Sequence, residues 1–119
     1  MWWAITIDCV DTRRVAEFWS GLFGCVAVEV GADRPGWLRL RPLGANGPSV
    51  NFQPVAEPRA AKVRIHLDVL VDDIDPAVER VIALGGADTG AREGLPRGRI
   101  AVMRDPEGNE FCLLAPPAS

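Results

Sequence analysis

Apolar positions along the chain change their period at regular intervals. Val15, Phe18, Trp19, Leu22 and Phe23 recur every three or four residues, the stripe of an amphipathic helix. Asp11 or Thr12 can cap its start, and Gly24 stands where a helix-ending glycine belongs. A second stripe runs through Val78, Val81, Ile82 and Leu84. Asp75 is its expected N-cap, Pro76 its first helical residue, and Gly85-Gly86 its stop. Elsewhere the period falls to two. Strands are predicted at 26–30, 37–41 and 50–55 after the first helix, and at 87–89, 98–104 and 110–115 after the second. Ile5-Thr6-Ile7-Asp8 precedes the first helix, and Ile65-His66-Leu67-Asp68 returns 60 residues later. Each half therefore predicts β-α-β-β-β. Pro/Gly loops are expected at 31–36, 42–48 and 90–98, a link at roughly 54–62, and a tail from Pro116.

Side chains alternate across a strand, so parity assigns faces. The face beneath the helices should hold Ile5, Ile7, Cys9, Leu38, Leu40, Val50, Phe52, Ile65, Leu67, Val69, Ile100, Val102, Phe111 and Leu113. The opposite parity holds Ala4, Thr6 and Asp8, then Trp37, Arg39 and Arg41, then Asn51 and Gln53. In the second half it holds His66 and Asp68, Arg99 and Met103, and Glu110 and Cys112. This second face is polar, which is unusual for a sheet surface meant only to pack.

Composition narrows the function classes. At 119 residues the chain reads as one domain able to bury about two-thirds of its unfolded surface. A net charge of −3 and a pI near 5.1 lack the basic footprint of a nucleic-acid binder. No apolar run approaches the roughly 20 residues of a membrane span, and the N-terminus shows no signal peptide. Three cysteines without paired spacing fit a reducing, cytoplasmic setting. Nucleotide-cofactor motifs, a Walker loop or GxGxxG after a strand, are absent.

The most informative stretch is Arg104-Asp105-Pro106-Glu107-Gly108-Asn109-Glu110-Phe111-Cys112. Asp105-Pro106-Glu107-Gly108 fits a type I turn between two apolar strands, which makes a hairpin. This hairpin resembles the closing hairpin of the vicinal oxygen chelate superfamily, which includes glyoxalase I, bleomycin-resistance proteins, fosfomycin-resistance enzymes and extradiol dioxygenases. The resemblance extends through Asp8-Cys9-Val10-Asp11, Glu17-Phe18-Trp19 and Arg64-Ile65-His66-Leu67-Asp68, and points to the glyoxalase-like branch. It implies an α+β fold in which tandem βαβββ modules, about 1–56 and about 62–116, form a cupped mixed β-sheet with helices outside. It also implies a homodimer and a ligand site in the cup.

In metal-dependent members a glutamate ligand follows the turn aspartate by seven residues; that position here is Cys112. The other family positions fall on His66, on Gln53 (with Asn51 beside it), and on Ala4 or Thr6. Both carboxylates are missing, so the resemblance predicts an altered site, with no cofactor expected and a divalent metal the lesser alternative. His66, the chain's one histidine, can act as a general base, with Asp68 orienting it and Asp8 as a matching carboxylate from the repeat. Against that, His66 can simply fill the cup. Cys112 can be a thiol activated by His66 or Arg99, or a small residue filling a former ligand position. Arg39, Arg41 and Arg99 with Trp37 can clamp a small, anionic organic ligand, or form a solvated rim or dimer contacts; Gln53, Glu110 and Cys112 are further candidate ligand contacts. The expected function is small-molecule binding without the family's catalytic metal; the alternative is a lyase or isomerase using His66.

Overall fold

A computed structural model describes the chain apart from residues 1–3, 42–47, 59, 62–65, 96–97 and 118–119. Two compact units divide it, Met1–Pro58 and Arg59–Ser119. Each holds one helix and one mixed four-stranded sheet, so the α+β βαβββ plan is observed twice.

The first unit runs β1 (Ala4–Cys9), α1 (Thr12–Phe23), β2 (Val26–Glu29), β3 (Leu38–Arg41) and β4 (Ser49–Pro54). The sheet order is β1-β4-β3-β2, with β1 parallel to β4 and the other pairs antiparallel. Asp11 is the cap: its carboxylate accepts from the Arg14 N–H at 3.2 Å. Gly24 closes the helix at φ 71°, a left-handed conformation that glycine adopts without a Cβ penalty. The stripe buries Val15, Ala16, Phe18 and Trp19 under the helix, and the sheet answers with Leu38, Leu40, Val50 and Phe52. Phe18 and Trp19 meet edge to face, with centroids 5.2 Å apart.

The second unit runs β5 (Asp68–Leu70), α2 (Ile74–Ala83), β6 (Ala87–Leu95), β7 (Gly98–Arg104) and β8 (Glu110–Ala115), in sheet order β5-β8-β7-β6. Again the outer pair β5–β8 is parallel and the rest antiparallel. Its core is Ile74, Val78 and Val81 from the helix with Ala101, Met103, Phe111 and Leu113 from the sheet.

Four expectations are corrected here. Helix α2 starts earlier than expected: Asp73 is its N-cap, and Asp75 lies in the first turn, where its charge complements the helix dipole. Strand β6 runs to Leu95 rather than ending at Thr89, because a bulge between Asp88 and Arg92 carries the strand through Gly90 at φ 83°. The Asp88 carboxylate accepts from the Gly90 N–H at 2.8 Å, and Thr89 from the Ala91 N–H at 3.1 Å. Strand β5 begins at Asp68, so His66 and Leu67 precede it, although the Leu67 carbonyl still accepts from the Cys112 N–H at 2.9 Å.

The fourth correction is the face of β7. Ala101 pairs with Leu113 and Met103 with Phe111, and all four are buried under α2. Ile100 and Val102 pair with Leu114 and Cys112 on the other side, where they are half-buried. Arg99 and Met103 therefore leave the expected polar face, and Ile100 and Val102 join it. A strand apolar at both parities cannot be assigned by parity alone; its register against β8 decides. Trp2, Trp3 and Ile65 lie outside the described residues.

The β7–β8 turn fixes that register. Asp105 is only 3% exposed. Its carboxylate accepts from the N–H groups of Glu107 and Asn109, both at 3.0 Å, and from the Asn109 amide at 2.9 Å. Gly108 donates its N–H to the Asp105 carbonyl at 2.9 Å, closing the turn at φ 85°.

Candidate functional site

The open face of the second sheet gathers most of the chemistry. Asp68 and Cys112 are register partners on neighbouring parallel strands, so their side chains stand side by side. His66, two residues before Asp68, reaches the same place: its Nδ1 lies 3.4 Å from Asp68 Oδ1. One ligating atom from each of His66, Asp68 and Cys112 lies within 4.8 Å of the others. The side chains of His66 and Asp68 are 47% and 53% exposed, so solvent and solutes reach the cluster. Glu110 sits two residues from Cys112 on β8, 3.9 Å from Arg104 Nη2.

The charges around Cys112 are negative. Burial is the largest effect holding its thiol above the ordinary value, and the carboxylates of Asp68, Glu110 and Glu93 push the same way. Arg99, expected as an activating cation, turns instead to the Pro116 carbonyl at 3.3 Å and to Asp73 at 3.4 Å. With no metal bound, Cys112 is thus a protonated thiol at neutral pH, not an activated nucleophile.

Next to this polar cluster the same face turns apolar. Leu70 and Leu114 are register partners two residues beyond Asp68 and Cys112, and Leu70 is 84% exposed. A hollow of about 320 Å³ opens there, lined by Leu70, Gly98, Arg99, Ile100, Leu114, Ala115 and Pro116. That volume lies at the small end of ligand pockets. The exposed Leu70 and the turned Ile100 are the parts of this face that the sequence pattern missed.

The first unit presents its own open face. Thr6 pairs with Asn51, Asp8 with Gln53, and Arg39 with Asn51 across β1, β4 and β3. Asn51 is buried and holds Arg39 by an Nε–H bond of 2.8 Å to its Oδ1. Ser49 donates to the same oxygen at 3.3 Å. Trp37 is engaged by Arg34, whose guanidinium carbon lies 5.1 Å from the ring centroid, and not by Arg39. The structure thus brings His66, Asp68 and Cys112 together in one unit, with Glu110 close by. Asp8, Gln53 and Arg39 share the sheet of the other unit, and Trp37 precedes its strand β3. Arg34 was missed because a loop arginine carries no periodic signal.

The donor set decides which metal the second unit's cluster fits. One imidazole, one carboxylate and one thiol suit a borderline ion of tetrahedral preference, with a fourth position open. They do not suit a hard ion that requires six oxygens.

The model of a family described as a glyoxalase-like domain matches residues 4–114. No curated protein sequence matches significantly. Among solved structures, a glyoxalase/bleomycin resistance protein/dioxygenase family enzyme from Burkholderia phytofirmans superposes with a TM-score of 0.75 at 20% identity, covering 96% of this chain and 97% of that one. An antibiotic-binding protein from a Streptomyces species reaches 0.65 at 24% identity, covering 98% and 96%. A fosfomycin resistance protein from Mesorhizobium loti reaches 0.69 at 20% identity, covering 96% and 90%.

Proposed function

This chain belongs to the glyoxalase-like domain family, and we propose that it is a cytoplasmic small-molecule-binding protein acting as a homodimer. We further propose that its binding does not depend on the hard divalent ion used by metal-dependent relatives. One observation carries the reading. The open face of the second sheet joins a polar cluster (His66, Asp68, Cys112) to an apolar hollow (Leu70, Ile100, Leu114) within one unit. Few polar groups converging beside an apolar cavity is the usual composition of a ligand site.

The charges refine the ligand. Asp68 stands beside Cys112, Glu110 lies two residues away on β8, and the charges of both and of Glu93 act on the thiol, so this face favours a neutral or cationic molecule with hydrogen-bond donors. An anionic ligand, the expectation from the arginines, belongs instead at Arg39 and Arg41 on the first unit's face. The likeness to an antibiotic-binding protein agrees with a binding role. If the cluster does hold a borderline ion, His66, Asp68 and Cys112 are its ligands, and the ion supplies Lewis acidity at its open position.

A second reading rests on the 3.4 Å contact between His66 Nδ1 and Asp68 Oδ1. A carboxylate at Nδ1 orients the imidazole and leaves Nε2 as the nitrogen that can act as a base, the role a lyase or isomerase needs. Native mass spectrometry of the freshly purified chain tests the main reading. A dimer retaining a small organic mass supports it; a chain that carries no small molecule and binds none from a diverse neutral and cationic library refutes it. Turnover of a bound compound, abolished in His66→Ala with binding retained, selects the enzyme instead.

A further inference from the structure

We propose that Arg39, held in place by Asn51, is the anion-recognising residue of a second binding site, on the open face of the first sheet, and that this site takes a monoanionic carboxylate carried on an apolar body. The inference sharpens the placement of an anionic ligand on this face, and it does not rest on binding by the second unit.

The guanidinium is fixed from its own sheet. Leu38 and Leu40 are buried beneath α1, so Arg39 between them stands on the other face of β3. It pairs with Asn51 on β4 and with Val28 on β2. Its Nε–H donates to Asn51 Oδ1 at 2.8 Å, and Ser49 donates its hydroxyl to the same oxygen at 3.3 Å. Asn51 is only 4% exposed, so packing limits the turning of its amide. Nε is thereby spent, and the guanidinium keeps its Nη1–Nη2 end for another molecule. That end presents two parallel N–H groups, which match the two oxygens of one carboxylate. Arg39 is half-buried, and it forms no ion pair among the described residues. A partly desolvated cation without a counter-ion costs free energy, and an arriving carboxylate recovers it.

The neighbours choose the rest of the ligand. Across the hairpin, Arg39 and Arg41 face Val28 and Val26 in register, and Val26 is 59% exposed. Two valines beside a guanidinium seat the carbon skeleton of a carboxylate and cover apolar surface in doing so. Charge sets the valence. On the strands of this face Arg39 and Arg41 are basic, and Asp8, the register partner of Gln53, is acidic. A single negative charge on the ligand brings these three residues to neutrality, and the second charge of a phosphate exceeds it.

Benzoate, acetate, benzamide and inorganic phosphate are the probes. Each is titrated at pH 7 and constant ionic strength into the isotopically labelled full chain, and NMR reads the arginine Nε–H and backbone amide signals. Benzoate should shift the Arg39 Nε–H together with the Val28 and Asn51 amides, with a midpoint of about 1 mM, the range open to so small a ligand. Acetate lacks the apolar body and phosphate the planar match, so each should bind about tenfold more weakly, and benzamide should leave the signals in place. Arg39→Lys keeps the charge without the fork and should weaken benzoate by about tenfold. Arg80→Gln, which removes one charge from α2, should leave binding intact. Asn51→Asp gives Arg39 a counter-ion of its own, so the Arg39 Nε–H should move and benzoate should bind about tenfold more weakly. Circular dichroism establishes that each variant is folded before its titration is read. The proposal is overturned if benzoate shifts none of these signals, if acetate, benzamide or phosphate binds as tightly as benzoate, or if folded Arg39→Lys or Asn51→Asp binds benzoate as the native chain does. The amides of Asp68, Leu70 and Cys112 report on the second unit separately, so failure here is distinct from failure there.

Discussion

Asp105→Ala should weaken the second unit more than any other single change at its surface turns. The carboxylate is buried and accepts three hydrogen bonds, two from backbone N–H groups at 3.0 Å and one from the Asn109 amide at 2.9 Å. Bonds to a charged acceptor are each worth about 1.5–3 kcal/mol, and a stranded buried donor costs about 1–3 kcal/mol. Glu107 and Asn109 are half-exposed, so water re-pairs part of what is lost. A net cost of about 3 kcal/mol follows, a large share of the roughly 5–15 kcal/mol that holds a domain folded. At about 4 °C per kcal/mol for a chain of this size, the midpoint should fall by about 12 °C. Asp105→Asn keeps one carbonyl acceptor and should cost about 1 kcal/mol. Urea unfolding followed by circular dichroism measures both, the midpoint moving while the slope stays constant. The turn also sets the β7–β8 register, and a slip of one residue would move Cys112 to the other face of the sheet. If Asp105→Ala unfolds within about 0.5 kcal/mol of the native chain, the carboxylate does not hold the turn and this reasoning fails.

Other perturbations have equally definite outcomes. A Cβ at Gly98 would stand 2.5 Å from the Ala115 carbonyl oxygen, so Gly98→Ala should cost about 1–3 kcal/mol of stability in the same urea assay. Met103→Ala should cost about 2–5 kcal/mol because Met103 is fully buried, whereas Val102→Ala on the open face should cost about 1 kcal/mol or less; equal losses would refute the face assignment of β7. The Arg92 hydrogen bond, helped by the Gly90 N–H, lowers the Asp88 carboxyl to about 2. A depressed carboxyl stabilises the fold above its unfolded value, so this contribution should be full at pH 5 and disappear as pH falls from about 4 to 2. The pair is solvent-exposed and salt-screened, so the effect is small, but an NMR titration of Asp88 should move back toward the ordinary range in Arg92→Ala. Alkylation of Cys112 should be slow at pH 7 and faster in Asp68→Asn, since removing that carboxylate lowers the thiol's pKa; an unchanged rate would remove Asp68 from the account.

Much of the fold was legible because two periods dominate the chain. The helix stripe Val15, Phe18, Trp19 is the buried face of α1, and the alternation through Leu38, Leu40, Val50 and Phe52 is the face beneath it. The internal repeat of Ile5–Asp8 at 65–68 announced two similar modules. Parity failed at β7, where Ile100, Ala101, Val102 and Met103 are apolar at every position and only pairing with β8 tells the faces apart. Gly90 read as a strand end because a bulge and a loop carry the same glycine signal; the Asp88 side chain makes the difference. At the site, His66 and Asp68 were legible as an i, i+2 pair on one face. Cys112 was placed with them by the resemblance and not by periodicity; that it is the register partner of Asp68 depends on the parallel pairing of β5 with β8, residues 44 apart in the chain. The acidity around Cys112 was also hidden, because Glu93 comes from a stretch expected to be loop.

On this reading, one face of the second sheet receives a small molecule. The most direct measurement is an amide NMR map of the full chain during titration with neutral and cationic fragments. Shifts should concentrate at His66, Asp68, Leu70, Ile100, Val102, Cys112 and Leu114, with α2 undisturbed. Fragments that bind but shift only residues outside this face, or a face that takes none of them, would contradict it.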